Sequence, residues 1–395
     1  MEGDEGRYYM YANNLLHGFY SPKGEVYLWN GPGYPIILMP FVALKLPLIC
    51  IKFMNALFHY LSVVLLYKTL IRYTTPAKAL IFSLFWACYY IAFKEMGRIY
   101  TESFTIFLIT AFQYCLVLAY HDLRRREYVW LAGFLLGYII LTKIIFGYVI
   151  VAALTIMGIT TALAGNNTRV RKALVILLIA LVTNVPYLFY TYHLTGKMLY
   201  WANSGGSSLY WASSPFEGEY GDWNNDTFTT YCDIDPLLPC NAVFFAKNHA
   251  ADFKLFNQCK GVEKDEAFKK KAIENIRYYP LKYMKNCLAN MGRMLFGVPD
   301  SYNYERLQTL LRIPASAIVF TFLLFSSILT LFFFRKMKFE ILFLVSLLFI
   351  YFALSILVSS FQRVFYIIIP IILCWTAYIL EDLFDIHARF SKEDN

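Results

Sequence analysis

The sequence predicts an all-α polytopic membrane protein, and three observations carry that expectation. Of the 395 residues, 58% are hydrophobic, 19% aromatic and only 16% charged, more apolar than one soluble core requires. Nine apolar stretches recur along the chain, most of them close to the about 20 residues that a helix needs to cross the hydrocarbon layer. Basic runs at Lys68/Arg72/Lys78, Arg124-Arg125-Arg126, Arg169/Arg171/Lys172 and Arg335/Lys336/Lys338 sit between apolar stretches, as they do in short cytoplasmic loops. The formal charge of +9 therefore reads as a topology signal, with no nucleic-acid partner expected.

The spans fall near 49–71, 76–93, 103–121, 128–142, 144–163, 172–192, 312–334, 339–359 and 364–380. An odd number of spans puts the two ends on opposite sides. With the basic runs inside, residues 1–48, 94–102, 142–143, 193–311 and 360–363 lie outside, and the tail 381–395 is cytoplasmic. This gives five regions: a first outer loop (1–48), a six-helix core (49–192), an extracytoplasmic loop domain (193–311), three C-terminal spans (312–380) and the tail. A bacterial or archaeal plasma membrane is expected in preference to the endoplasmic reticulum.

Within the first outer loop, Tyr8, Ala12, Leu15, Leu16 and Phe19 share helical spacing, which predicts a helix lying on the membrane. Residues 33–47 are apolar but short and broken by Pro35, Pro40 and Pro47, which predicts an interfacial or re-entrant segment. The acidic, polar start MEGDEGRYY is no signal peptide, and an outside N-terminus points to a helix that precedes residue 1.

The loop domain opens with a near-repeat, LYWANS at 199–204 and LYWASS at 209–214. Its aromatic rings suit stacking on sugars, and equally suit packing or anchoring at the headgroup layer. Lys264–Phe296 reads as helix ending against the membrane. Cys232, Cys240, Cys259 and Cys287 share this domain. In an oxidising compartment they allow two disulfides in any of three connectivities. Cys50, Cys88, Cys115 and Cys374 lie in apolar stretches as small hydrophobes. Asn225-Asp226-Thr227 is a glycosylation sequon. No Cys/His pair has zinc-type spacing, and the six His form no triad.

The charges that touch the spans, Asp4, Glu5, Glu102, Lys143 and Arg363, fall on the outer side of this threading. A charge at the centre of a span costs roughly 2.5 to 3.5 kcal/mol, so such groups collect near an interface and often mark chemistry there. The site is expected at that surface.

Several short motifs share that side. They are Gly3-Asp4-Glu5-Gly6-Arg7-Tyr8, Gly31-Pro32-Gly33-Tyr34-Pro35, Tyr100-Thr101-Glu102-Ser103, Leu141-Thr142-Lys143, Gly205-Gly206 running to Leu209-Tyr210, and Gln362-Arg363 ahead of Pro370. In this order they resemble the glycosyltransferase family 39 type of GT-C membrane enzymes, which includes protein O-mannosyltransferases and the aminoarabinose transferase that modifies lipid A. In that family a helix precedes the Asp-Glu loop; this sequence lacks it. The resemblance implies a GT-C-type bundle. It also implies transfer of a sugar from a polyprenyl-phosphate carrier to a lipid, glycan or protein acceptor on the outer face, with inversion at the anomeric carbon.

The resemblance makes Asp4 the acidic residue at the catalytic position, where a carboxylate takes the proton of an attacking hydroxyl; Glu5 stands second for that role. The plainer reading of Asp4 is a helix N-cap. Glu102 corresponds to a second acidic position that supports the first or orients the acceptor, against a plainer role at a helix N-terminus. Lys143 is either a snorkelling lysine or a cation for the donor phosphate and the charge on the leaving group. Arg363 opens a span where a cation opposes the helix dipole, and a guanidinium fork matches phosphate. Arg7, Tyr8, Tyr210 and Trp211 are candidate sugar or acceptor contacts. No cofactor is required by this chemistry, a divalent ion stays open, and no residue is assigned to a metal. A transporter or flippase for lipid-linked saccharides, or a non-enzymatic envelope scaffold, are the rivals. Repeated halves and midplane charges, which the first would need, are missing from the sequence.

Overall fold

The computed structural model describes residues 3–122, 125–164, 167–225, 228, 241–302, 310 and 312–393. These residues form α1 (Gly3–Leu16), α2 (Gly33–Ala43), α3 (Leu48–Leu70), α4 (Pro76–Ala87), α5 (Tyr90–Met96), α6 (Glu102–His121), α7 (Glu127–Thr142), α8 (Ile145–Ala164), α9 (Thr168–Thr183) and α10 (Val185–Thr195). A second group holds α11 (Gly205–Ala212), α12 (Asn241–Phe256), α13 (Gly261–Tyr278) and α14 (Pro280–Phe296). The chain closes with α15 (Ile313–Phe333), α16 (Phe339–Ile356), α17 (Gln362–Tyr366) and α18 (Ile369–Glu393).

Among the described residues five helices are long and apolar enough to cross a membrane: Leu48–Leu70, Glu102–His121, Ile145–Leu163, Ile313–Lys336 and Phe339–Ile356. Two more spans result if α4 with α5, bent by 48°, and α9 with α10, bent by 47°, are each one broken crossing. The chain is an integral, multi-pass, all-α membrane protein. All nine expected spans coincide with helices, but the fourth and ninth are the shorter apolar helices Glu127–Thr142 and Ile369–Glu381. The ninth also starts later than expected. Arg363 rides on its own short helix, α17, ahead of α18.

The bend between α9 and α10 has a local cause. Pro186 lies in the first turn of α10 and has no N–H to continue the ladder. The Asn184 side chain donates instead to the carbonyls of Ala180 at 2.9 Å and Gly137 at 3.0 Å, which joins the break to α7. Along the same contact, a Cβ on Gly133 would lie 2.6 Å from Ile179 Cβ, and one on Gly137 2.6 Å from Thr183 Cβ. Glycines four apart let two helix backbones approach where apolar lipid gives no hydrophobic drive. Gly133→Leu is expected to separate α7 from α9 and lower the melting temperature in detergent by several degrees. An unchanged melt would remove this contact from the account of the fold.

The N-terminal segment departs from its expected placement. Tyr8 and Ala12 of α1 are buried, with Tyr11 beside them, and Tyr8 meets Tyr34 of α2 edge-on at 5.4 Å. The face expected to lie on lipid is thus partly turned inward. α2, with only 11 residues, is too short to span, as expected, and it too packs inward through Tyr34 and Leu38. At the opposite end of the bundle, buried Glu340 accepts from Tyr73 Oη at 3.0 Å and lies 3.4 Å from His121 Nε2. Charges therefore occupy both ends of the spans and not one alone.

The second helix group has its own aromatic core of Tyr210, Trp211, Phe245, Phe253, Phe256 and Phe268. Glu219 and His249 are buried beside it and joined at 2.8 Å, and Asn248 Nδ2 donates to the other Glu219 oxygen at 2.7 Å. Burial alone would push the Glu219 carboxyl up. His249, Asn248 and Ser214 instead hold it below its ordinary value. A depressed folded pKa contributes stability above the unfolded value of 4.5 and loses it as pH falls through the folded pKa. Melting followed by tryptophan fluorescence should therefore weaken on acidification below that value. Glu219→Gln should flatten this dependence, and an unaltered acid slope in that variant would contradict the assignment.

Cys259 and Cys287 carry free thiols. Cys232 and Cys240, Asp226 and Thr227 of the sequon, and Arg124 lie outside the described residues.

Candidate active site

Four chain segments meet at one end of the bundle. They are the first turn of α1, the N-terminus of α6, the junction of α7 with α8, and α17. Arg363 Nη1 donates to Asp4 Oδ2 at 2.6 Å, across 359 residues of sequence, and Arg7 closes on the other Asp4 oxygen from one helical turn away. Beside this pair Lys143 Nζ donates to Glu102 Oε1 at 2.6 Å, and Glu102 is almost wholly buried at 1% exposure. Its Oε2 is buried without a hydrogen-bond partner.

Local structure explains each placement. Thr101 precedes α6, so Glu102 stands in the first turn, where a carboxylate complements the helix dipole. Lys143 ends α7 with extended backbone, and its position is set by the Gly-Pro-Gly-Tyr-Pro segment. A Cβ on Gly31 would overlap the Leu141 carbonyl, and one on Gly33 would sit 2.5 Å from Thr142 Oγ1. Tyr138 Oη donates to the Gly33 carbonyl at 3.0 Å and closes the same contact. Two motifs far apart in the chain are therefore one packed unit.

The Arg98–Thr101 turn is held from below and above. Asn55, fully buried in α3, donates to the Arg98 carbonyl at 2.7 Å and accepts from Tyr34 Oη at 3.3 Å. Glu5 Oε1 accepts from the Ile99 N–H at 2.9 Å. Tyr100 then lies between two guanidinium groups, Arg363 at 5.1 Å and Arg98 at 5.4 Å from its ring, and Arg7 stacks on Trp29 at 5.3 Å. Cation–π contacts of this kind orient charged groups without neutralising them.

The electrostatics couple the two cations to the carboxylates around them. Desolvation opposes the Arg363 charge, yet Glu102, with Tyr8, Tyr100 and Glu95, holds its pKa above the ordinary guanidinium value. Desolvation pushes the Lys143 ammonium below its ordinary value, and the Glu102 carboxylate offsets only part of this. Two cations whose counter-charges are carboxylates in a poorly solvated place can exchange those partners for a phosphate.

Of the residues singled out from the sequence, Asp4, Arg7, Glu102, Lys143 and Arg363 are drawn into this cluster. Tyr8 faces it from a buried position, with its hydroxyl taking a hydrogen bond from Asn30 at 3.1 Å. Glu5 is occupied by the Ile99 amide. Tyr210 and Trp211 need correction: each is 1% exposed in the aromatic core of the second helix group, with Tyr210 Oη 2.7 Å from His249 Nδ1 and donating to Asp252 at 2.8 Å. They build that core and present no open ring to a sugar. Trp201 of the first repeat packs likewise on Gly147. Sequence reasoning missed Asn55, Trp29 and Glu95, a buried carboxylate with one unpartnered oxygen. Asn55 had a signal, since a polar side chain within a long apolar stretch is uncommon without a role. Among the described residues no three His, Cys, Asp or Glu side chains are grouped as metal ligands.

Residues 32–190 match the family model described as dolichyl-phosphate-mannose-protein mannosyltransferase. The matched stretch runs from α2 to α10 and includes Glu102 and Lys143. Over this stretch the chain resembles the GT-C membrane enzymes. No curated protein matches the chain. Among solved structures it is similar to ArnT from Cupriavidus metallidurans bound to undecaprenyl phosphate, at 14% identity over 96% of this chain and 72% of that one, with a TM-score of 0.38. The apo state of the same protein gives 13% identity with the same coverage and TM-score. Likeness at that level fixes neither fold nor chemistry.

Proposed function

We propose that this chain is a membrane glycosyltransferase that moves a sugar from a polyprenyl-phosphate carrier to an acceptor at the extracytoplasmic face, with inversion. The observation that carries the reading is the side-by-side pairing of Asp4 with Arg363 and of Glu102 with Lys143 at one end of a helical membrane bundle. The match of residues 32–190 to a family named for a lipid-phosphate sugar donor supports it.

In this reading the carrier tail lies among the spans and its phosphate meets Arg363 and Lys143. Binding of the phosphate draws Arg363 from Asp4, so donor capture frees the base. Asp4 accepts the proton of the acceptor hydroxyl while that oxygen attacks the anomeric carbon. The bond from that carbon to the phosphate oxygen breaks, and the polyprenyl phosphate leaves with the electron pair. Arg363 and Lys143 stabilise the charge that grows on it. Glu102 keeps Lys143 in place, and its unpartnered oxygen is left for the acceptor or the ammonium. Arg7 holds Asp4 on the side away from Arg363. Neither a cofactor nor a metal enters these steps.

The test compares envelope lipids, glycans and proteins by mass spectrometry with and without the gene. Loss of one sugar-bearing species, with accumulation of its polyprenyl-phosphate donor, is the expected result. Identical profiles would count against an enzyme.

A further inference from the structure

α14 is built with its polarity reversed for a helix in water. Asn286, Asn290 and Arg293 occupy its buried face. They are hydrogen-bonded there: Asn286 to the Ser214 carbonyl at 2.9 Å, Asn290 to Ile356 at 3.0 Å and Arg293 Nε to Ser360 at 3.0 Å. The opposite stripe carries Leu281, Met284 and Leu288, at i, i+3 and i+7, and these are 74%, 62% and 64% exposed. Polar groups inside and large apolar groups outside are what a lipid surround selects, because lipid rewards no apolar burial and penalises bare polar groups.

The depth of the helix fits the same surround. Tyr283 Oη donates to the Leu357 carbonyl at 2.8 Å, so with Asn290 and Arg293 the helix lies against residues 356–360, just past the end of the crossing helix α16. Leu357 is itself exposed and continues the apolar stripe. Tyr278, the last residue of α13, and Tyr279, which precedes α14, are exposed as well, a placement that aromatic side chains favour at the headgroup layer. Lys285, one turn from Leu281 and Leu288 on α14, is exposed beside the stripe, and Arg277 is exposed in the last turn of α13, next to Tyr278; both supply positive charge near the start of α14.

We infer that α14 is a membrane-surface helix whose Leu281–Met284–Leu288 stripe is immersed in the outer lipid layer, with Arg277 and Lys285 binding anionic lipid headgroups. The occupant of the stripe is the lipid layer and not a partner protein, since the apolar surface is continuous with the end of a span and flanked by cations. The consequence reaches the candidate site. Arg293 bonds the segment ahead of α17, and Gly297 at the end of α14 packs on Gln362, so lipid contact by α14 sets the level at which Arg363 stands. The inference does not depend on the sugar-transfer reading.

The test places a photoreactive p-benzoylphenylalanine at Leu288, and in a control at exposed Lys269 of α13, in the full chain reconstituted into vesicles with equal parts of phosphatidylcholine and phosphatidylglycerol. Irradiation should give phospholipid adducts from position 288 and none from 269. Phosphatidylglycerol should exceed phosphatidylcholine in those adducts by about fivefold for each bound charge, and Arg277→Gln with Lys285→Gln should remove the excess. No lipid adduct at 288, or adducts to protein alone, overturns the immersion of the stripe. Equal lipid shares in the unaltered protein overturn the headgroup assignment.

Discussion

Asp4→Asn is expected to reduce sugar transfer by about a hundred- to ten-thousand-fold, the range that a positioned general base contributes. The change is nearly isosteric, and the amide oxygen can still accept from Arg363, so the fold around α17 should persist. Removing the carboxylate charge also removes the competitor for Arg363. Donor binding should therefore tighten while turnover collapses, a split between KM and kcat that simple misfolding would not produce. Both quantities are measured with purified protein and a polyprenyl-phosphate sugar, following release of the polyprenyl phosphate. Retained turnover would defeat the base assignment. Weakened donor binding would defeat the exchange of Asp4 for phosphate at Arg363.

Lys143→Met is expected to destabilise the protein by about 3 to 5 kcal/mol, because it leaves the Glu102 carboxylate buried without its nearest cation. Glu102 is 1% exposed, so water cannot take over the role of the ammonium. Adding Glu102→Gln should recover much of that loss, since the neutral amide carries no uncompensated charge. Transfer should stay low in the double variant, because the phosphate has still lost one cation. Thermal unfolding in detergent reads the first part and the transfer assay the second. Additive destabilisation in the double variant would show that the two side chains are not coupled.

The two ion pairs were only half legible in the sequence. Lys143 stood out because it separates two apolar stretches, Glu102 and Arg363 because each flanks one, and Asp4 because of the motif around it. Nothing in the chain says that Asp4 meets Arg363 and not Lys143. The partner choice follows from how α1 lies on α2, and from Gly31 and Gly33 letting that segment close on Leu141 and Thr142. Tyr210 and Trp211 misled for a related reason: an aromatic pair on a Gly/Ser frame is compatible with a sugar platform and with a core, and only the arrival of α12 and α13 over it decides. The reversed polarity of α14 was hidden because Asn, Lys and Leu alternate there without showing which face the protein covers.

Hydropathy and the spacing of basic runs determined by themselves that this is a helical protein of many spans and where those spans lie. Both signals are local: a stretch of about 20 apolar residues lowers its free energy in lipid whatever its neighbours are. The weak motifs at Asp4, Glu102, Lys143 and Arg363 are also drawn together at one end of the bundle. Tertiary structure alone decided which charges pair, which aromatic rings are buried, and where two spans bend or start late. Those outcomes depend on close approaches between residues as far apart as Asp4 and Arg363, and such approaches are set by the packing of whole helices, which no local pattern encodes.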